Sequence, residues 1–448
     1  MKYKDKKVAV VGFGIEGKDV TKHLVGHGAE VTVLDIREDV DKKGFEEVKF
    51  ETGKQYLNRG LKDYEIIVRS PGVYRYIDEI IKAEEVGSMV TSPTEIFFEN
   101  CPAKIIGVTG TKGKGTTATL IYEILKSSGK DVRLAGNIGK PFLGMLSKLN
   151  KDTWVVLELS SFQLIDLEKS PHISVVLNIT TDHLDWHKDR NEYVNSKKSI
   201  VKYQTTEDVA VLNKDYPDST SFSKIGKGKK LFYSVAKNVK GSYVKNGTIF
   251  LDIDKKTTIG DTGDLILRGR HNWENVCAAA CASYVAGADL GAIKKTIFSF
   301  KGYEHRLEFV RELNGVKFYN DSAGTGPETA IAAINSYDES LVLIMGGFEK
   351  NLDYSEMAKV IAAKKSVQNI IFIGDIGLRL EKEIRSAGYR GSTTQLGKIS
   401  MNKIVNKAFS AAAKGSSVLL APATSSFDMF ENYRQRGDQF KEAVQKLK

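Results

Sequence analysis

The sequence predicts an α/β protein of three domains with mainly parallel sheets, on three observations. The chain has 448 residues, too many for one hydrophobic core and close to three domains of ordinary size. Short apolar runs alternate with amphipathic segments along most of it, which is the pattern of strands joined by crossover helices. Two glycine-rich turns, Gly12-Phe13-Gly14-Ile15-Glu16-Gly17 and Gly110-Thr111-Lys112-Gly113-Lys114-Gly115-Thr116-Thr117, each stand between a strand-type run and a helix-type run.

Taken in order, the first domain opens with a strand over Lys7 to Val11, the glycine turn, a helix to about His27, and a strand over Glu30 to Leu34 that ends in Asp35. A full GxGxxG turn with an acid at ribose distance predicts a Rossmann-like domain, and taken alone it argues for a dinucleotide and an oxidoreductase. A further strand, Glu65 to Arg69, runs into Ser70-Pro71-Gly72-Val73. The second domain begins near Thr94 to Pro102 and carries strands over Lys104 to Thr109, Trp154 to Leu159 and Ile173 to Ile179. A helix spans about Asn191 to Gln204, and a small β excursion is expected from Lys224 to Asp264. Helices over Asn272 to Ala286 and Leu290 to Phe298 close this domain. The third domain begins at Tyr303 to Glu308, with strands over Val316 to Tyr319, Leu341 to Met345, Asn369 to Ile373 and Ser417 to Leu420, and a helix after Pro327. The expected domains are therefore 1–95, Rossmann-like, 96–302, a P-loop-type ATP-binding domain with a mainly parallel sheet, and 303–448, a second Rossmann-like α/β domain.

Composition narrows the class. A chain 41% apolar and 27% charged is ordinary for a soluble α/β protein, and the net charge of +10 comes from scattered lysines without the basic, aromatic-flanked arm that nucleic acid requires. Cys101, Cys277 and Cys281 form no CxxC pair and read as small core residues in a reducing compartment. The N-terminus runs into a strand rather than a signal sequence, and no apolar stretch reaches the length of a membrane span. The expectation is a cytoplasmic protein without membrane insertion.

The second turn carries the most chemistry. Its glycines let backbone N–H groups converge, the helix beginning near Thr116 points its positive end at the same spot, and Lys114 adds a full charge for terminal phosphates. The first glycine sits two rather than four residues ahead of the Gly-Lys pair, and Gly115 occupies the usual place of the magnesium-binding hydroxyl, so Thr116 or Thr117 would serve. Glu158, at the carboxyl end of a buried-type strand, is placed to hold magnesium. Asp182-His183-Leu184-Asp185-Trp186-His187 crowds two histidines and two aspartates together. Without cysteines it reads as a polar active-site loop, with His183 facing magnesium or substrate, rather than a zinc cluster. By composition, Lys197 and Lys198 are a solvated helix face. Arg306 falls where the second and third domains meet and can clamp phosphoryl charge. Asn320-Asp321-Ser322, Gly346-Gly347-Phe348-Glu349-Lys350 and Ser425-Ser426-Phe427-Asp428 end three strands of the third domain and imply one site.

Together these segments resemble the Mur ligases over essentially the whole chain. The resemblance rests most on Ser70-Pro71-Gly72-Val73, Glu158-Leu159-Ser160-Ser161-Phe162-Gln163-Leu164, Asp182-His183-Leu184-Asp185, Gly346-Gly347 with Lys350 and Asp353, and Ser426-Phe427-Asp428 with Arg436-Gly437-Asp438 and Phe440. It implies a cytoplasmic, monomeric ligase of peptidoglycan precursor synthesis that joins D-glutamate to UDP-N-acetylmuramoyl-L-alanine, using ATP, two magnesium ions and an acyl phosphate. Gly12, Gly14, Asp35, Arg37, Ser70 and Gly72 would then bind the sugar nucleotide, reversing the oxidoreductase inference. By the same resemblance Asn137 contacts that substrate, Glu158 and His183 join Thr116 as magnesium ligands, and Lys197 carries a carbamate, formed from carbon dioxide, that binds a second magnesium. Gly110 to Thr117 would bind ATP with Asn272, Arg306 and Asp321, and Thr325, Lys350, Ser426, Phe427 and Tyr433 would hold the amino acid. Lys114, Glu158, His183, Lys197 and Arg306 form the implied catalytic set. Gly115 stands where the family usually has serine, and Asp321-Ser322-Ala323-Gly324-Thr325-Gly326 lacks the family's lysine and alanine after the serine. The competing readings are a related ligase adding L-glutamate or another amino acid, an NAD-dependent oxidoreductase built on the first turn, and a nucleotide sensor without catalysis.

Overall fold

The structure is a computed structural model that describes residues 2–136 and 141–448. It is a three-domain α/β protein with three sheets in two compact units, Met1–Thr262 with Glu274–Ile297, and Gly263–Trp273 with Phe298–Lys448.

In the first unit, β1 (Lys7–Val11), β2 (Glu30–Asp35), β3 (Lys49–Thr52), β4 (Ile66–Arg69) and β5 (Met89–Thr91) form a parallel sheet in the order β3-β2-β1-β4-β5. Its helices are α1 (Ile15–Gly26), α2 (Asp78–Glu85) and α3 (Pro93–Asn100). The order reverses between β1 and β4, the position where open α/β sheets leave a crevice at their carboxyl ends.

The second sheet contains β6 (Lys104–Thr109), β7 (Val132–Gly136), β8 (Trp154–Glu158), β9 (Ile173–Val176), β10 (Val209–Asn213), β11 (Lys229–Ser234), β12 (Gly241–Lys245), β13 (Thr248–Asp252) and β14 (Lys256–Asp261). The order is β14-β13-β12-β11-β10-β9-β6-β8-β7. The β segment expected between 224 and 264 is formed by β11 to β14, which extend the second sheet, β11 in parallel with β10 and β12 to β14 as an antiparallel run. The surrounding helices are α4 (Lys114–Ser127), α5 (Ser161–Leu164), α6 (Arg190–Lys197), α7 (Ser199–Lys202), α8 (Pro217–Ser221), α9 (Arg270–Val285) and α10 (Leu290–Ser299). The helix expected over Asn191 to Gln204 is thus two segments. The first starts where Asp189 accepts the Glu192 N–H at 2.8 Å, a side-chain cap that satisfies an otherwise orphaned donor.

In the second unit, β15 (Glu308–Leu313), β16 (Val316–Asn320), β17 (Leu341–Gly346), β18 (Val367–Ile373), β19 (Ser392–Gly397) and β20 (Ser417–Leu420) are ordered β15-β16-β20-β17-β18-β19, with β15 antiparallel. Helices α11 (Pro327–Ile334), α12 (Ser355–Ala363), α13 (Gly377–Ser386), α14 (Met401–Ser410) and α15 (Tyr433–Lys446) flank it. Strand alternation sends Leu341, Leu343 and Met345 into one core and Val342 and Ile344 into the other, so β17 is apolar throughout. Cys277 and Cys281 are buried core residues, as expected. Among the described residues, no helix is long and apolar enough to cross a membrane.

Candidate active site

At the β1/β4 switch point a cavity of about 450 Å³ is lined by Gly12 to Gly17, Asp35, Arg37 and Ser70 to Val73. Gly12 and Gly17 are glycines because backbone and side chain close on them. A Cβ on Gly12, whose φ is +91°, would lie 2.9 Å from Ser70 Cβ, and one on Gly17 would lie 2.1 Å from Gly12 O. Ser70 Oγ donates to Gly12 O at 2.6 Å, joining the two turns. Burial alone would raise the Asp35 carboxyl, but hydrogen bonds from Arg37 and from the Phe13 N–H outweigh it and hold the group at about 2. Asp35 therefore shapes the turn, leaving the half-exposed Arg37 guanidinium at the rim. Glu16 faces the opposite balance: burial pushes its carboxyl up to about 7, against a 2.7 Å bond from Gln163 Nε2. Asn137 lies outside the described residues.

The second glycine turn follows β6 and enters α4 through Gly113, whose φ of +85° and closeness to Asn275 Oδ1, 2.3 Å from a would-be Cβ, both require glycine. No side chain caps this helix, so its first N–H groups are turned to the site. Lys114 Nζ lies over the loop, donating to Gly110 O at 3.1 Å and Thr111 O at 3.0 Å. Thr117 is buried and donates to Asn275 Oδ1 at 3.2 Å, whereas Thr116 is partly exposed. Of the two hydroxyls offered by the sequence, Thr116 is the one facing outward.

Glu158 ends β8 beside β6, level with this loop. Lys197, assigned by composition to a solvated face, is 1% exposed. Its Nζ lies 3.3 Å from Gly110 O and 4.6 Å from the Tyr193 ring centre. Burial foremost, and then Lys114, lower its pKa well below that of an ordinary lysine, while Asp182 and Glu158 act the other way. His183 adopts φ +54° and packs 4.8 Å from the Phe162 ring, with its pKa lowered mainly by burial. Among the described residues, Asp182 to His187 form no three-ligand metal cluster. His183 is open, while His187 turns inward at 2% exposed. The phosphate loop, Glu158, His183 and Lys197 thus converge on one edge of the second sheet. A carboxylate and an imidazole beside a helix N-terminus suit a hard cation shared with phosphate oxygens.

In the second unit, β16, β20 and β17 are neighbours, so their three polar ends meet as the sequence implied. Arg306 is exposed and set between two left-handed residues, His305 (φ +61°) and Leu307 (φ +44°), which turn it outward. Asp321 is buried, accepts the Leu307 N–H at 3.1 Å, and is pushed up to about 7 by burial against the opposing charge of Arg306. Asn272, at the start of α9, donates to Arg268 O at 2.6 Å. Thr325 is partly exposed, Lys350 exposed and Tyr433 partly exposed. Phe427 is 66% exposed and meets Phe348 edge-on at 6.3 Å. The Ser425 and Ser426 hydroxyls are buried and take no protein partner, which fits a polar ligand arriving at this edge.

Arg436 received no role from the sequence, although its motif was visible. It is fully buried and binds Ser322 O at 2.8 Å, Ser322 Oγ at 2.9 Å, Thr424 O at 3.1 Å and Ser425 O at 3.2 Å. One guanidinium therefore pins the ends of β16 and β20 together.

Comparison with known proteins gives the family. The family description "Mur ligase MurD-like, N-terminal domain" matches residues 6–92, "Mur ligase middle domain" matches 108–283, and "Mur ligase, glutamate ligase domain" matches 305–424. The UDP-N-acetylmuramoylalanine–D-glutamate ligase of Acetivibrio thermocellus is 41% identical, covering 100% of this chain and 97% of its own. The protein of that name from Clostridium botulinum strain 657 is 37% identical, covering 100% and 99%. Among solved structures, MurF from Acinetobacter baumannii aligns with a TM-score of 0.62 at 16% identity, over 99% of this chain and 92% of that one. MurC from Thermotoga maritima aligns at 0.58 and 17%, over 98% and 99%. At such identities these structures establish the fold, while the full-length relatives establish descent. The chain belongs to the Mur ligase family and is an ATP-dependent ligase.

Proposed function

We propose that this chain joins D-glutamate to UDP-N-acetylmuramoyl-L-alanine in peptidoglycan precursor synthesis, acting as a cytoplasmic monomer without nucleic-acid partners. The observation that carries the reading is the convergence of the phosphate loop, Glu158, His183 and Lys197 on one strand edge. A carboxylate is a poor acyl donor because its leaving group would be oxide. In the proposed reaction its oxygen attacks the γ-phosphorus of ATP, ADP leaves, the amine of glutamate attacks the acyl carbon, and phosphate departs. Little covalent chemistry falls to the protein, whose task is positioning and neutralising charge. Lys114 and the α4 N-terminus hold the phosphates, and Arg306, Asn272 and Asp321 are proposed as ATP-binding residues. Magnesium would be held by Thr116, Glu158 and His183 and would neutralise phosphate charge. Gly12, Gly14, Asp35, Arg37, Ser70, Gly72 and Asn137 of the 1–95 and 96–302 domains take the sugar nucleotide. Thr325, Ser426, Phe427 and Tyr433 seat the amino acid, and Lys350 pairs with a carboxylate.

ADP release measured with UDP-N-acetylmuramoyl-L-alanine, magnesium and ATP, with amino acids added singly and the product weighed, tests this. Ligation with D-glutamate alone is the expected result. Ligation with another amino acid would change the substrate, and none at all would remove the reading. Lys197 is proposed to bear a carbamate, since its burial lowers its pKa and so favours the neutral amine, the form that attacks carbon dioxide and releases a proton. Lys197→Ala should lose turnover and regain part of it in acetate or formate, and failure to regain any would count against the carbamate.

A further inference from the structure

His187 sits at the centre of a hydrogen-bonded chain that the proposed reaction leaves without a role. Its Nδ1 lies 3.1 Å from Glu192 Oε1, and its Nε2 lies 2.9 Å from Ser161 Oγ. Glu192 also accepts from Tyr74 Oη at 3.0 Å and from the Lys188 N–H at 3.2 Å. A carboxylate with these donors only accepts, so Nδ1 carries the imidazole proton, Nε2 accepts, and Ser161 donates. The imidazole is walled by aromatic rings, stacked on Phe162 at 5.6 Å and edge-on to Tyr193 at 5.4 Å and Trp186 at 4.6 Å.

Each partner belongs to a different part of the site. Ser161 opens α5, three residues after Glu158. The His187 N–H bonds His183 O at 2.9 Å, closing the turn that presents His183. Glu192 and Tyr193 share α6 with Lys197, and Tyr193 Oη lies 2.9 Å from Thr111 Oγ1 of the phosphate loop. Tyr74 follows the Ser70 to Val73 turn of the nucleotide cavity. The same order of groups serves nucleophilic catalysis where the serine faces a substrate. Here Ser161 is 1% exposed, so its hydroxyl holds elements together and attacks nothing.

The geometry points to His187 as a positioning residue that fixes Glu158, His183 and Lys197 relative to one another through Ser161 and Glu192. This rests on the reading that Glu158 and His183 hold magnesium. Groups that orient metal ligands typically change metal affinity or activity by about 10–100-fold when lost.

The test is ADP release by the full-length enzyme as a function of magnesium concentration, for His187→Leu, His187→Asn and Ser161→Ala. The leucine variant should raise the magnesium requirement by about 10-fold or more, leaving the KM for D-glutamate at the wild-type value. Asparagine can still donate to Glu192 from the Nδ1 position and should recover part of the loss. Ser161→Ala deletes a single oxygen, so it keeps the test open if the leucine variant does not fold. It should shift the magnesium requirement in the same direction, and combined with His187→Asn it should add little. An unchanged magnesium requirement in Ser161→Ala and His187→Asn, with the wild type magnesium-dependent, overturns the inference. A wild type that releases ADP without regard to magnesium removes the underlying reading and this inference with it.

Discussion

Lys114→Ala and Glu158→Ala should each lower the rate of ADP release by about 10²–10³-fold or more, the cost of removing one preorganised charge-stabilising group from a reacting centre, with the melting temperature unchanged. Lys114 is partly exposed and its ammonium donates to the loop carbonyls of Gly110 and Thr111. Losing it removes charge from the phosphate site without opening a cavity in the core. Glu158 ends its strand at the site edge, where its neighbours include the buried Lys197. Steady-state assays beside circular-dichroism melts separate the two effects. A rate close to that of the wild type in either variant would sink the mechanism, and a large drop in melting temperature would assign the residue to the fold instead.

Arg436→Ala should produce the largest loss of stability, about 3–5 kcal/mol, the range for removing one partner of a buried charged network. The guanidinium is 0% exposed, and burial draws its pKa down to about 10. Ser322 O, Thr424 O and the Ser322 hydroxyl would lose this donor in a place that water does not reach, while Ser425 O would keep the Phe348 N–H. Each such orphan costs about 1–3 kcal/mol before relaxation. Because Ser322 and Ser425 are held by the same side chain, the variant should also raise the KM for the amino acid. Urea unfolding of the full chain gives the stability, and a loss below about 1 kcal/mol would mean that neighbouring groups or water replace the guanidinium.

Much of the fold was legible in the sequence because strand and helix periods are local. β1, β6 and β20 begin and end where the apolar runs do, and both glycine turns lie at the strand-to-helix junctions their spacing implied. The errors arise where neighbours outweigh local pattern. The run from 224 to 264 shows its β character, but not that β11 pairs with β10 and so carries the second sheet onward. Glu158 and the phosphate loop stand at strand ends, and a strand end is visible as the point where apolar alternation stops.

Environment was not legible. Lys197 looks like any helix-face lysine, because burial is set by what packs over it, here Tyr193 and the phosphate loop. His187 reads as one more polar residue in a crowded loop until its ring is found between Ser161 and Glu192. Arg436 resembles a surface arginine on a polar helix until Ser322, more than 100 residues earlier, closes on it. By itself the sequence determined the order of elements, the two phosphate-type turns and the acids at strand ends, all governed by backbone geometry over a few residues. The tertiary structure alone decided which strand ends are neighbours, which charges are buried and which imidazole is locked, because desolvation and hydrogen-bond partners depend on atoms far apart in the chain.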